Sequence, residues 1–195
     1  MHRTQTPLLA MLALTLTLLP SSARAQGTVT VEGNIRAGLG DWADISNPGL
    51  GVLVGGRYDL DDAFGLTART GLIFGLPRTQ TVAVPIFGEV SQSLRTNELP
   101  LLLGGRYAFG SAGAAPFVSA EFGLVNVTEF SVVRSEGSDD ARLTSDSEAR
   151  FALNVGGGFD AGDMEGRLSL LWIPLEDSDD LIGLWVSFGF DVFEF

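Results

Sequence analysis

The side chains that could do chemistry in this sequence are carboxylates, hydroxyls and arginines. The chain has 24 acidic residues, no lysine, no cysteine and a single histidine, His2. A serine-histidine-aspartate triad needs an imidazole, and typical zinc sites need histidine or cysteine. Because His2 lies in a predicted export signal, the exported chain would contain neither residue. We therefore predict that the protein is not an enzyme and carries no cofactor.

One acidic segment has the residue types of a calcium site. Asp177, Asp179 and Asp180 place three carboxylates within four residues, and calcium binds clustered carboxylates. The segment has neither the spacing of an EF-hand loop nor a glycine at its turn. A solvated, self-repelling acidic loop is the alternative, and we favour it. We therefore predict no metal site. If the chain did bind a metal ion, these three aspartates would be the candidate ligands.

Residues 1–25 have the features of a secretory signal peptide. Leu8 to Leu19 is an apolar run, and Ala23-Arg24-Ala25 is an A-x-A cleavage site. The run is shorter than the ~20 residues of a spanning helix, so a cleaved signal is favoured over an N-terminal anchor. The remaining residues, 26–195, are predicted to form one domain with a net charge of −14, from 10 arginines and 24 acids. This acidity argues against a nucleic acid partner.

The alternation of apolar and polar residues predicts the β-strands that position the charged side chains. From Thr28 onward, apolar residues alternate with polar or small ones, and a period of two indicates β-strands. Eight strands are predicted, over 28–39, 50–58, 64–75, 97–109, 116–126, 150–160, 164–173 and 181–193. Their connections alternate between long and short, and 76–96 and 127–149 are long. Short periplasmic turns and longer extracellular loops are typical of bacterial outer-membrane barrels.

A short sequence recurs at one end of these strands. Gly55-Gly56-Arg57-Tyr58 returns as Gly104-Gly105-Arg106-Tyr107, and more weakly as Gly157-Gly158-Phe159, at intervals of about fifty residues. Repetition at a near-constant interval indicates repeated architecture, here one copy per pair of strands. Glycine permits close backbone packing, and tyrosine suits a boundary between an apolar layer and water. The repeat is therefore predicted to mark the short-turn end of the barrel.

One face of every predicted strand carries no charged residue. An arginine facing lipid at mid-depth costs roughly 2–4 kcal/mol, so this face is predicted to contact lipid. Because backbone groups in lipid must be paired, the strands should close into a barrel without a free edge. Aromatic residues are predicted to form two girdles, Tyr58, Phe64, Tyr107, Phe109 and Phe159 at the short-turn end and Phe74 and Trp172 at the other. Trp42 and Phe130, in loops, are girdle residues or partner contacts, and the girdle is favoured.

The opposite face carries six acids and five arginines and is predicted to be the interior. An eight-stranded barrel is just wide enough for side chains to fill, and enclosed charges are tolerable only when paired. We predict an ion-pair network in place of an open pore, formed by Glu32, Arg36, Arg57, Arg69, Arg106, Glu121, Asp160, Arg167 and Asp191. Arg57 and Arg106 are expected near the periplasmic end, within reach of Glu32 and Asp160, and loss of Arg57 is expected to lower thermal stability.

Several segments carry a resemblance to a known family. They are Glu98-Leu99-Pro100-Leu101-Leu102-Leu103 running into Gly105-Arg106-Tyr107, then Pro116-Phe117-Val118, then Phe151 to Gly158, and finally Phe195. With these segments, residues 26–195 resemble the OmpA/OmpX-like group of eight-stranded barrels, also called porin-family domains, of the Gram-negative outer membrane. The resemblance implies an outer-membrane location, and Phe195 resembles the signal that the barrel-assembly machinery recognises. Asp191 departs from the alternation of that signal, and a bulge near 192–194 would restore the register.

The resemblance leaves the function open, because a fold does not fix a function. The first hypothesis is a structural or surface-interaction role through acidic extracellular loops, for a monomer whose partners are membrane lipid, the assembly machinery and an unidentified extracellular molecule. The second is a narrow channel for small solutes. A third inverts the two faces into a soluble, lipocalin-like barrel with a ligand inside. The charged strand faces, the loop lengths and the aromatic strand ends favour the membrane barrel.

Overall fold

The computed structural model describes residues 27–40, 42–43, 47–84, 88–110, 114–135, 141–175 and 180–195. These residues form nine strands, β1 (Gly27–Leu39), β2 (Gly49–Asp59), β3 (Phe64–Gly75), β4 (Arg78–Val84), β5 (Gly88–Ala108), β6 (Ala114–Ser135), β7 (Ala141–Ala161), β8 (Met164–Ile173) and β9 (Leu181–Glu194). The predicted signal peptide, Asp177 and Asp179 lie outside the described residues. Within those residues, no helix has the length and apolar character needed to cross a membrane.

Eight of these strands close into a barrel. Neighbours along the chain pair with each other, β3 pairs directly with β5, and β1 pairs with β9 to complete the ring. Every pairing is antiparallel. The predicted eight-stranded, antiparallel, up-and-down barrel is therefore confirmed. The predicted bounds of two strands, 64–75 and 164–173, agree with those of β3 and β8.

The two longest predicted connections are largely strand, which corrects the sequence prediction. β4 pairs with the first residues of β5, and β6 and β7 stay paired from the barrel as far as Arg134 and Ala141. β4 and the adjoining parts of β5, β6 and β7 thus form a four-stranded extension of the barrel wall, which we call the projecting sheet. In 76–96 the sequence offered a hairpin extension at the apolar piece 82–90 as one alternative, and β4 pairs with β5 there. In 127–149 polar residues lie on both faces of the strands, as in Thr144 to Glu148, so no apolar period appears.

The predicted apolar face points outward in the barrel. Leu66, Phe122 and Leu168 are each more than half exposed on this surface. Phe74 lies ten residues beyond Phe64 on β3, a rise of about 25 Å for a strand at ~3.3 Å per residue tilted by ~40°. That height matches the ~25 Å apolar band of outer-membrane barrels. The strands are therefore long enough for the apolar face to cover the hydrocarbon core.

Aromatic residues stand at both ends of this apolar belt. At the short-turn end, the ring of Tyr107 contacts those of Phe64 and Phe109, at centroid distances of 5.2 and 4.9 Å. Phe74 and Trp172 are outward-facing at the long-loop end. The structure thus places rings at both predicted boundaries of the belt.

A bulge in the last strand resolves the irregular position of Asp191. Thr30 pairs with Asp191 and Val29 pairs with Phe193, so Val192 is an extra residue in β9. Asp191 accordingly points inward, where Thr30 Oγ1 donates to its Oδ1 at 2.7 Å. Phe193 and Phe195 both point outward, with stacked rings 5.9 Å apart. The bulge predicted near 192–194 is confirmed.

The short turns are stabilised by local interactions. Between β2 and β3, the backbone N–H groups of Ala63 and Phe64 donate to Asp61 Oδ1 at 2.8 and 2.7 Å. These bonds stabilise the carboxylate and lower the pKa of Asp61. Between β7 and β8, Gly162 has a φ of +65°, a conformation that glycine adopts without strain.

Candidate functional site

The repeated Gly-Gly-Arg-Tyr sequence directs two arginines onto one carboxylate inside the barrel. Arg57 Nη1 lies 3.4 Å from Asp160 Oδ2, and Arg106 Nη2 donates to the same oxygen. Because side chains alternate along a strand, the tyrosine that follows each arginine, Tyr58 or Tyr107, points to the outer surface. Each copy therefore supplies one interior cation and one aromatic residue at the membrane boundary.

The strand that carries the third copy of the repeat supplies the carboxylate that accepts hydrogen bonds from Arg57 and Arg106. In this copy Gly158 occupies the inward position that corresponds to Arg57 and Arg106. A side chain does not fit there, because a Cβ on Gly158 would clash with the backbone carbonyl oxygen of Gly166 and lie 2.7 Å from the Phe117 ring. The guanidinium carbon of Arg106 lies 3.8 Å from the centre of the Phe117 ring. Asp160, two residues after Gly158, provides the carboxylate that both arginines contact.

A chain of ion pairs continues from these residues toward the middle of the barrel. Arg69 contacts Glu32 at 2.5 Å and Glu121 at 3.2 Å. Arg167 contacts Glu121 at 2.9 Å and Glu165 at 3.0 Å. All five side chains are at most 10% exposed. Each of the two arginines therefore has two carboxylate partners in place of water.

The same chain reaches the periplasmic mouth through Arg106 and Arg57. Arg106 joins Glu165, at 2.8 Å, to Asp160, and Arg57 joins Asp160 to Asp59, at 3.2 Å. The charges alternate along the whole series, whose order is Glu32, Arg69, Glu121, Arg167, Glu165, Arg106, Asp160, Arg57 and Asp59. We call this series the interior network. Burying these charges is tolerable because each is compensated by a neighbour.

The membership of the interior network differs from the prediction at several positions. Glu32 pairs with Arg69, not with Arg57 or Arg106. Asp191 bonds to Thr30 and lies outside the series. Glu165 is one of the six acids that the sequence assigns to the interior face, and it joins the series through Arg167 and Arg106 although the predicted network omitted it.

A separate ion pair lies nearer the extracellular end. Arg36 Nε is 3.0 Å from Glu98 Oε1, and neither side chain is exposed. The sequence prediction placed Arg36 in the network, whereas its acidic partner is Glu98. The inward-facing apolar side chains of Leu53, Ile73, Leu102, Leu171 and Trp185 are fully buried and form one cluster with Trp42. The ion-pair chain thus lies toward the short-turn end of the barrel, and the apolar cluster and the Arg36–Glu98 pair lie toward the long-loop end.

Trp42 covers the Arg36–Glu98 pair from above, which corrects its assignment to a girdle. Its side chain is fully buried, and its ring centre lies 5.0 Å from the guanidinium carbon of Arg36. Gly183 provides the space, because a Cβ there would lie 2.9 Å from the Trp42 ring. The attraction between a cation and an aromatic face favours this position over the membrane boundary.

Hydrogen bonds attach the Trp42 segment to the edge of the projecting sheet. Arg78 Nη1 donates to the carbonyl oxygen of Ala43 at 2.9 Å, and Asn47 Nδ2 donates to that of Pro77 at 2.8 Å. The residues beside Trp42 are therefore held by β4 and the turn that precedes it.

The voids that remain in the described part of the barrel are unequal. A cavity of about 410 Å³ opens at the periplasmic end, beside Arg57, Asp59 and Asp160. Deeper in the network, the void beside Glu32 and Arg69 measures only about 20 Å³, close to the space of one water molecule. The lumen therefore narrows from an open periplasmic mouth to a filled interior.

The described acids of the extracellular end lie above the lumen. Glu129, Asp146 and Glu148 line a depression of about 270 Å³ whose floor includes Leu181. Asp180 is the one described member of the predicted weak metal candidates, and its Oδ2 accepts a hydrogen bond from Trp172 Nε1 at 2.8 Å. Among the described residues, no three acidic, histidine or cysteine side chains are arranged to hold a metal ion.

The substitution Arg57→Ala is expected to lower the unfolding free energy by about 1–2 kcal/mol. Arg57 is 21% exposed at the mouth, so its loss should cost less than a fully buried pair and more than a surface one. Equilibrium urea unfolding in detergent micelles, followed by tryptophan fluorescence, measures the difference. A loss equal to that of a fully buried network member would show that the mouth is as shielded as the interior.

Comparison with known proteins supports the fold. No protein-family model matches the sequence, and no curated protein matches it. Among solved structures, Ail of Yersinia pestis in complex with the heparin analogue sucrose octasulfate has a TM-score of 0.59 at 12% identity, covering 89% of this chain and 100% of that chain. Another Ail structure has a TM-score of 0.56 at 11% identity with the same coverage. The N-terminal barrel of Pseudomonas aeruginosa OprF has 0.39 at 21%, covering 86% and 100%.

These similarities concern the fold alone. Ail is an outer membrane protein of Yersinia pestis, and both of its structures with higher scores are covered along their whole length. The chain therefore has the architecture of a small transmembrane barrel of the outer-membrane type. The resemblance to outer-membrane barrels that the sequence indicated is confirmed for the fold.

Proposed function

We propose that this chain, which has the fold of the bacterial outer-membrane β-barrels, is an integral outer-membrane protein that acts through its extracellular side without conducting solutes. The observation that carries the proposal is the filled lumen. Ion pairs occupy the half near the short turns, and the other half holds apolar side chains together with the Arg36–Glu98 pair beneath Trp42. The fold is suited to residence in a membrane. Because the interior is filled, the extracellular surface is the part of the protein that a partner could reach.

A channel needs a continuous path lined by water or by groups that replace it. In this barrel the charged groups are directed at one another, and the hydrogen-bonding capacity of Arg69 and Arg167 is used by carboxylates. Above them, Leu102 and Trp185 are completely buried. An ion entering from the periplasmic mouth would have to break paired charges and then displace packed side chains. The second hypothesis, a narrow channel, is therefore less favoured by the geometry.

The extracellular side offers a surface for a partner. The depression is lined by Glu129 and Asp146, by Glu148 with its partner Arg150, and by the apolar side chains of Leu175 and Leu181, which leaves an excess of acidic groups. Complementary charge favours association with a basic partner, such as a lysine- or arginine-rich protein segment. The sulfated ligand of the Ail complex is an anion, and this acidic surface would repel it.

Conductance in planar bilayers tests the closed lumen. The wild-type protein is expected to give no stable open level, and Trp42→Ala is also expected to give none, because Leu102 and Trp185 remain beneath the cap. A stable open level in the wild type would favour the channel hypothesis. An open level in the variant alone would show that Trp42 by itself closes the barrel.

Membrane residence has its own test. Closed outer-membrane barrels resist SDS until heated, so the folded protein should migrate differently before and after boiling. We expect this shift for protein recovered from the outer-membrane fraction. If the protein were soluble in the periplasm and its gel mobility did not change on boiling, the soluble, lipocalin-like barrel with its apolar face inward would be favoured instead.

A further inference from the structure

Two carboxylates stand directly opposite each other on the face of the projecting sheet that lies above the lumen. We call this face the inner face. Glu129 on β6 pairs in register with Asp146 on β7, and both side chains line the depression at the extracellular end. Directly opposed residues of an antiparallel pair have Cβ atoms about 5 Å apart, and like charges at that separation destabilise a sheet.

Among the described residues, no arginine compensates this opposed pair. The third carboxylate of the depression, Glu148, has a partner of its own, because Arg150 Nη2 lies 2.6 Å from its Oε2. Neither member of the opposed pair contacts an arginine in the part of the chain that the structure describes. The next pair on the inner face, Ser131 and Thr144, is neutral, so the sheet does not require charge at these positions. A local arrangement that costs stability is expected where a protein has a functional site.

The depression beside the opposed pair has room for one long side chain. Its volume of about 270 Å³ lies below the range of ~300–1,000 Å³ that small-molecule pockets have. Its apolar lining consists of Val127 and Leu181, which are buried, and of Leu175, which packs against the apolar cluster of the lumen. Basic side chains lay their aliphatic stems on apolar surface and keep the charged group in a polar site. A stem on these three residues would bring its cation to the carboxylates.

Two opposed carboxylates favour a guanidinium over an ammonium group. A guanidinium is a planar fork of N–H donors that can contact two carboxylates at once, whereas an ammonium is a compact and strongly hydrated charge. The interior of this barrel uses the same arrangement, because Arg69 contacts both Glu32 and Glu121. We propose that Glu129 and Asp146 together bind an arginine side chain of a partner protein, inserted into the depression of the inner face.

The proposal rests on the proposed function and names the chemical group by which a basic partner is held. Two peptides of equal charge test it, tetra-arginine and tetra-lysine, each acetylated at the N-terminus and amidated at the C-terminus. Dissociation constants are measured by calorimetry with the protein in phosphatidylcholine nanodiscs. The wild type is expected to bind tetra-arginine about tenfold more tightly, the effect of one further charge-assisted hydrogen bond.

Three variants separate the opposed pair from the general acidity of the protein. Glu129→Gln and Asp146→Asn are each expected to weaken tetra-arginine binding by about tenfold and to remove the preference over tetra-lysine. Asp62→Asn removes the same charge from an exposed short turn at the other end of the barrel and is expected to retain both. The melting temperature of Glu129→Gln and Asp146→Asn should stay unchanged or rise, because a like-charge repulsion is relieved. Lost binding would then not reflect lost folding.

Several outcomes would overturn the arginine site. Equal affinity of the wild type for the two peptides, or an equal loss in Asp62→Asn, would leave only a general attraction of basic partners to an acidic surface. A lower melting temperature for Glu129→Gln would make the opposed pair a structural feature. Absence of binding by either peptide, in protein whose heat-dependent shift in SDS shows insertion, would also count against a basic partner but not against the closed membrane barrel. Failure to insert would overturn the proposed location and this proposal with it.

Discussion

Replacing Glu121 with alanine is expected to lower the unfolding free energy of the barrel by about 3–5 kcal/mol, the range for removing one partner of a buried ion pair. Glu121 contacts both Arg69 and Arg167, and all three side chains are at most 4% exposed. Without the carboxylate, each arginine keeps a single acidic partner and loses compensation in a site that water hardly enters. Equilibrium urea unfolding in detergent micelles measures the loss.

Glu148→Ala is the matched control for this substitution. Glu148 also pairs with an arginine, Arg150, but its side chain is 64% exposed on the projecting sheet, where ion pairs contribute about 0–1 kcal/mol. Glu121→Gln should fall between the two, because an amide oxygen still accepts one hydrogen bond from an arginine. Equal, small losses for Glu121→Ala and Glu148→Ala would mean that the interior network is hydrated and not packed.

Gly158→Arg is expected to prevent the barrel from folding or to lower its stability by about 3 kcal/mol or more. The substitution would restore the arginine that the third copy of the repeat lacks. The Phe117 ring already occupies that space, and overpacking a filled interior costs about 1–3 kcal/mol. The new cation would also lie beside Arg106 and Arg167, which already flank Phe117. The fraction of protein that refolds to the SDS-resistant form gives the measurement.

Gly105→Ala serves as the control for a glycine of the same repeat. Gly105 faces the lipid, and a Cβ there would meet nothing nearer than the Gly65 carbonyl oxygen at 3.7 Å, so refolding should be unchanged. Gly158→Ala should already lower the yield, because its Cβ would clash with the Gly166 carbonyl oxygen, and adding Phe117→Ala should not relieve that clash. Normal refolding of Gly158→Arg alone would refute our account of why the third copy differs.

The sequence predicted the barrel because apolar and polar residues alternate along eight segments of about ten residues. Few folds other than a membrane barrel have this pattern together with alternating short and long connections. It identified the two faces of each strand and the bulge beside Asp191. It did not identify which acid meets which arginine. That choice depends on how neighbouring strands are staggered, and the stagger brings Arg69, not Arg57, to Glu32.

The alternation of apolar and polar residues could not predict two features, the projecting sheet and the buried position of Trp42. The projecting sheet is solvated on both faces, so its strands look like polar loops. Trp42 lies in a loop, and a lone loop tryptophan is equally compatible with a membrane boundary and a buried site. Its position depends on the nearby Arg36 and on two residues distant in sequence, Gly183, which leaves space for the ring, and Arg78, which bonds to Ala43.

The seam between β1 and β9 has a consequence for how the barrel forms. Across it, Gly27 and Phe195 exchange backbone hydrogen bonds of 2.8 and 2.9 Å, and Thr30 bonds to Asp191 across a separation of 161 residues. Contacts between such distant residues form slowly, because the loop must close before they contribute. Until β9 arrives, β1 is an edge strand with unpaired backbone groups that lipid cannot satisfy. Closure of this seam is therefore expected to limit the rate of folding, and substitutions at Thr30 or Asp191 should slow folding more than substitutions in a hairpin of neighbouring strands.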